Sequence, residues 1–123
     1  MSGPLVGHTV LIVEDEPLVA LDVADCLRDA GAQTLLARTV RDAMGKAVSA
    51  DFTAAVLDHG LSDGDTSEVC ETLKGRSIPF VVYSGYSELD GPCSEGEMVR
   101  KPASPQFLVS KLVEVLGARP IAN

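Results

Sequence analysis

The sequence predicts an α/β fold, a parallel sheet with helices on both faces, and three observations carry that prediction. Residues 9–13 (TVLIV) and 53–58 (TAAVLD) are continuous apolar runs rather than alternating ones, as expected of strands buried on both faces. Strand-like and helix-like segments alternate along the whole chain, the pattern of strands joined by helical crossovers. The residues able to do chemistry fall just past strand ends: Glu14 and Asp15, Asp58, Ser84 and Lys101. Open sheets of this class bind ligands along that edge.

Taken in order, the first strand (9–13) runs into Glu14-Asp15-Glu16, and Pro17 suits the first position of a helix. Leu18, Leu21, Val23, Ala24 and Leu27 recur at helical spacing, and Gly31 stands where a helix-ending glycine belongs. Residues 34–37 form a short strand. Thr39 caps the next helix, with Asp42 three positions on and Val40, Ala43, Met44 and Ala47 facing inward. Gly45 weakens that helix by about 1 kcal/mol relative to Ala. After the strand at 53–58, residues 62–65 (SDGD) make a turn, and Asp65 with Glu68 opens a helix over 66–74. Residues 78–84 read as a strand with Pro79 near its start. Residues 86–97 (YSELDGPCSEGE) lack apolar periodicity and read as a loop with a turn of helix at most. A short strand at 98–100 leads to Lys101-Pro102. Ser104 and Pro105 start a last helix with Phe107, Leu108, Leu112, Val115 and Leu116 inward, ended by Gly117.

Composition narrows the function. The chain has 123 residues, which suits one domain, and a net charge of −8, which repels phosphate backbones and argues against nucleic-acid binding. No apolar run approaches the ~18 residues of a membrane span. The first residues carry no export signal, so the expected location is the cytoplasm. Cys26, Cys70 and Cys93 are odd in number and widely spaced, and are expected to be free thiols in a reducing compartment.

The strand ends suggest a chemistry. If the first and third strands are neighbours, Glu14, Asp15 and Asp58 share a cleft, and their mutual repulsion is relieved by a bound cation or by raised pKa values. An all-oxygen site suits Mg2+ or Mn2+, and Mg2+ commonly shares its shell with phosphate oxygens. Lys101 and the Ser84 hydroxyl are suited to phosphoryl oxygens, and a carboxylate nucleophile in that setting forms an aspartyl-phosphate.

Four segments carry a resemblance: VLIVEDE (10–16), AVLD (55–58), VYSG (82–85) and Lys101-Pro102. In order and spacing they resemble the receiver domain of two-component response regulators. The likeness spans residues 8–117 and leaves 1–7 and 118–123 as short tails. It implies a flavodoxin-like, doubly wound, five-stranded parallel sheet of order 2-1-3-4-5. It also implies Asp58 as phosphoacceptor. Asp15, Asp58 and the Gly60 carbonyl would hold Mg2+, with Glu14 acting through water, while Ser84 and Lys101 would bind the phosphoryl oxygens. The donor would be a histidine kinase or a histidine phosphotransfer protein. In this family the Lys-Pro bond is often cis.

The sequence also departs from the family. A short helix or a loop stands where the fourth helix belongs, Met98 occupies the position of the usual switch aromatic, and Ser62 and Thr66 replace a common proline and glycine. The string FVVYSGY (80–86) is similar to single-domain receivers of alphaproteobacteria, which alter the same helix. Tyr86 is a candidate to cover the site, the alternative being a loop ring packed on the sheet edge, and Ser84, Tyr86 and Met98 are the candidate switch positions.

Three function classes follow. The first is a stand-alone phosphorylation switch, or a phosphate shuttle or sink, working through protein contacts, since only residues 118–123 follow Gly117. In that case the chain is no enzyme beyond self-phosphotransfer and autodephosphorylation. The second is a small aspartyl-phosphate phosphatase, disfavoured because Gly60 stands where such enzymes place a second acid. The third is a phosphorylation-independent interaction module, disfavoured by the intact acidic set.

Overall fold

Five short apolar strands make one parallel sheet, and their registers decide which side chains meet at its edge. In the computed structural model, which describes residues 3–61, 63–85 and 91–117, the chain runs β1 (Thr9–Val13), α1 (Pro17–Asp29), β2 (Gln33–Ala37), α2 (Val40–Ser49), β3 (Ala54–Asp58), α3 (Ser67–Gly75), β4 (Phe80–Ser84), β5 (Glu97–Arg100) and α4 (Pro105–Gly117). The sheet order is β2-β1-β3-β4-β5, all parallel, the flavodoxin-like order 2-1-3-4-5. A small antiparallel pair, Gly60–Leu61 with Gly64–Asp65, follows β3.

Strand residues alternate between two cores, as the pleat requires. Leu11, Val13, Ala55, Leu57 and Val82 meet Ala43 and Ala47 of α2 and Val69 and Leu73 of α3. Val10, Ile12, Val56, Val81 and Val99 meet Val23 and Leu27 of α1 and Leu108 and Leu112 of α4. Leu5, ahead of the segment of family likeness, is fully buried in the second core.

The helix starts follow the sequence. Thr39 Oγ1 accepts the Asp42 amide at 3.0 Å, Ser104 Oγ accepts the Phe107 amide at 3.1 Å, and Asp65 Oδ1 accepts the Ser67 amide at 3.0 Å. Asp63 adds a cap invisible to local patterning, since its carboxylate accepts the Val40 amide at 2.9 Å across a tertiary contact. Gly31 has φ +100°, and a Cβ there would stand 2.5 Å from Val6 Cγ2, so this helix end requires glycine.

Several expectations are corrected. Leu18 and Leu21 are 73% and 52% exposed, and α1 buries Ala20, Val23 and Leu27 instead. At about 100° per residue those three share one arc, and Leu18 lies almost opposite it. Phe107 is also exposed on α4. In agreement with the expected loop with a turn of helix at most, the described part of the interval between β4 and β5 holds a 3-10 turn, Gly91–Glu95, and residues 86–90 lie outside the described residues.

The free-thiol expectation fails for two of the three cysteines. Cys70 of α3 and Cys93 of the 3-10 turn are both buried and joined by a disulfide, with Cα atoms 5.1 Å apart. Only docking of the turn on α3 brings them together, and spacing alone gives no sign of it. Cys26 is free and half-buried. Among the described residues no helix is long and apolar enough to cross a membrane.

Candidate functional site: an acidic cleft at the sheet edge

The site follows from register. Val13 lies level with Leu57 in the β1–β3 ladder, so Glu14 and Asp58 leave neighbouring strands side by side. The Glu14 amide donates to Ala37 O at 3.0 Å, which prolongs the ladder and holds the residue in the core, where it is 2% exposed. Asp58 is 4% exposed, and Asp15 is half-buried. One carboxylate oxygen from each of these three acids lies within 4.8 Å of the others.

On the other side of Asp58, the Lys101 amide donates to Ser84 O at 2.7 Å, which sets the lysine one step past β5. The Lys101–Pro102 bond is cis. Lys101 Nζ lies 2.9 Å from Asp58 Oδ1, and the Gly60 amide donates to the same oxygen at 3.2 Å. A cleft of about 680 Å3 joins these groups, lined by Glu14, Asp15, Asp58, Gly60, Tyr83 and Lys101 among others.

Electrostatics follow from crowding. Burial pushes the Glu14 carboxyl up to about 7. Hydrogen bonds from the Tyr83 hydroxyl and from the Glu16 amide, at 3.1 Å, oppose that rise, and the Asp58 charge adds to it. Burial and the Glu14 carboxylate together raise the Tyr83 hydroxyl above its ordinary value, so the phenol stays protonated and donates. The donor set fits a hard divalent cation: three carboxylates in reach of one ion and nothing soft among them. These acids could therefore hold a metal ion.

Of the residues singled out in the sequence, Glu14, Asp15, Asp58, Gly60 and Lys101 come together in this cleft. Ser84 is buried at the end of β4 and is absent from the lining. Met98 is half-buried on β5, level with Val82 of β4. Tyr86 and Ser62 lie outside the described residues. Sequence reasoning missed Tyr83, the β4 side chain that lines the cleft. The one available signal was a hydroxyl-bearing ring inside an otherwise apolar run, one step before the strand's end.

No family model matches the chain. By sequence it is similar to the phosphate regulon transcriptional regulatory protein PhoB of Pseudomonas aeruginosa, 30% identical over 91% of this chain and 53% of that protein. It spans 53% to 64% of the length of the curated relatives it matches. By structure it is similar to a response regulator receiver protein from Sinorhizobium medicae, with TM-score 0.82 and 22% identity over 92% of this chain and 97% of that one. It is also similar to the response regulator TrrA of Thermotoga maritima, solved in complex with Mg2+ and BeF, with TM-score 0.77 and 21% identity over 88% of this chain and 98% of that one. Sequence likeness and strand order point the same way, and the chain has the fold of these response-regulator receiver domains.

Proposed function

We propose that the chain is a phosphorylation-dependent signalling switch in which Asp58 accepts a phosphoryl group from a histidine kinase or a histidine phosphotransfer protein. One observation carries this: the buried Asp58 carboxylate stands between two further acids on one side and the Lys101 ammonium, 2.9 Å away, on the other. A buried acid so placed is an oriented nucleophile beside a site for phosphoryl charge.

Glu14, Asp15, Asp58 and the Gly60 carbonyl would hold Mg2+, or Mn2+ in its place. The bound ion supplies charge neutralisation at the phosphoryl oxygens and relieves the repulsion among the acids. An Asp58 oxygen forms the new O–P bond as the P–N bond to the donor histidine breaks, and that nitrogen keeps the electron pair. Lys101 moves from Asp58 Oδ1 to a phosphoryl oxygen, with the Ser84 hydroxyl as a second donor. Apart from its own phosphorylation and hydrolysis the chain turns over no substrate. Its output is a changed surface read by a partner protein in the cytoplasm, and Ser84, Tyr86 and Met98 are the positions proposed to report the change.

The test is beryllofluoride, the phosphoryl mimic seen with Mg2+ in TrrA. With Mg2+ present, fluorine NMR is expected to show a bound species that Asp58→Asn abolishes. A bound signal that survives Asp58→Asn, or no binding to the native chain, counts against the proposal.

A further inference from the structure

Tyr83 belongs to both halves of the cleft. It lies level with Asp58 in the β3–β4 ladder and is 4% exposed. Its hydroxyl donates to Glu14 Oε1, while the Glu16 amide holds Glu14 Oε2. Its ring faces Lys101, whose ammonium stands 5.3 Å from the ring centroid and 2.9 Å from Asp58. The Glu14 carboxylate thus has one fixed donor on each oxygen, and the ammonium sits between an aromatic face and an acid.

We infer that Tyr83 is a positioning residue of this cleft, orienting Glu14 toward a bound cation through its hydroxyl and seating Lys101 beside Asp58 through its ring. The inference rests on the cation reading of the cleft and deepens it. The two functions are separable by substitution. Tyr83→Phe removes the hydroxyl and keeps the ring and its volume. Tyr83→Leu removes both. Groups that orient metal ligands from behind typically matter by 10–100-fold in metal affinity.

The experiment is a Mg2+ titration of the native chain, Tyr83→Phe and Tyr83→Leu by calorimetry, followed by the rate of phosphoryl uptake from acetyl phosphate at saturating Mg2+. Tyr83→Phe is expected to bind Mg2+ about 10-fold more weakly and to keep a near-native rate once saturated. Tyr83→Leu is expected to lose both affinity and saturated rate. A purely structural tyrosine would not split the two in this way. The chain has no tryptophan and two tyrosines, so tyrosine emission gives a second reading. Mg2+ is expected to change emission in the native chain, and the change shrinks in Tyr83→Phe. Native Mg2+ affinity in Tyr83→Phe, or no Mg2+ binding to the native chain, overturns the inference. If Tyr83→Leu fails to fold, Tyr83→Phe decides alone. Uptake is scored separately, so a chain that binds Mg2+ through Tyr83 yet takes up no phosphoryl group refutes the switch and leaves this inference standing.

Discussion

Lys101 Nζ and Asp58 Oδ1 are 2.9 Å apart across the cleft, and Asp58 is almost fully buried while the lysine remains partly exposed. The proposed phosphoacceptor is therefore already paired. The pair compensates one charge of a three-acid cluster, and in the proposed reaction its cation turns to the incoming phosphoryl group.

Lys101→Met keeps most of the stem and removes the charge. It is expected to slow phosphoryl uptake from a small donor about 100-fold, the usual scale for losing one preorganised cationic donor. With Asp58 left facing two acids, the metal-free protein should also melt lower, and Mg2+ should raise its melting temperature more than it does the native chain's. Uptake kinetics and melting with and without Mg2+ check both.

The Glu14 carboxyl gives the metal-free protein an unusual pH response. Its folded value is about 7 against an ordinary 4.5, so the folded state holds this proton more tightly than the unfolded chain. The associated stability is fully present below about pH 4.5, falls as pH rises to about 7, and is then flat. The drop is roughly 3 kcal/mol at most. Asp63 and Asp65, held below the usual carboxylate range by backbone amides, titrate under this window. Urea denaturation in chelator from pH 5 to 8 is expected to show the fall, and Glu14→Gln or added Mg2+ to flatten it.

The Cys70–Cys93 bond closes a loop of 23 residues. Chain-entropy arguments put its contribution at about 3 kcal/mol. Reductant should lower the melting temperature by about 10 °C for a domain of this size. Cys93→Ala should melt lower from the start and show no response to reductant.

Gly96 allows the segment after the 3-10 turn to lie against β4. A Cβ there would stand 2.4 Å from Phe80 Cε2 and 2.8 Å from Phe80 O. Gly96→Ala is expected to cost about 2 kcal/mol of stability, read by urea denaturation, while any Mg2+ affinity of the acidic cleft at the opposite edge is unchanged.

Much of this was legible because the signals are local. Continuous apolar runs marked β1, β3 and β4, and caps at Thr39 and Ser104 marked helix starts. A strand ending in an acid placed Asp58, and the parallel order then put Glu14 beside it. What escaped depends on contacts between distant segments. The disulfide needs the 3-10 turn docked on α3. Leu18 and Leu21 fit a helical period but not the arc that α1 turns toward the sheet. Tyr83 reads as one more core residue until the β3–β4 register sets it level with Asp58.

The most direct test is the intact mass of the native chain after incubation with Mg2+ and acetyl phosphate. A gain of one phosphoryl group that disappears in Asp58→Asn, and in native protein treated with chelator, is the predicted result. No gain while Mg2+ is bound, or a gain that persists in Asp58→Asn, would contradict the claim that Asp58 is the phosphoacceptor of this cleft.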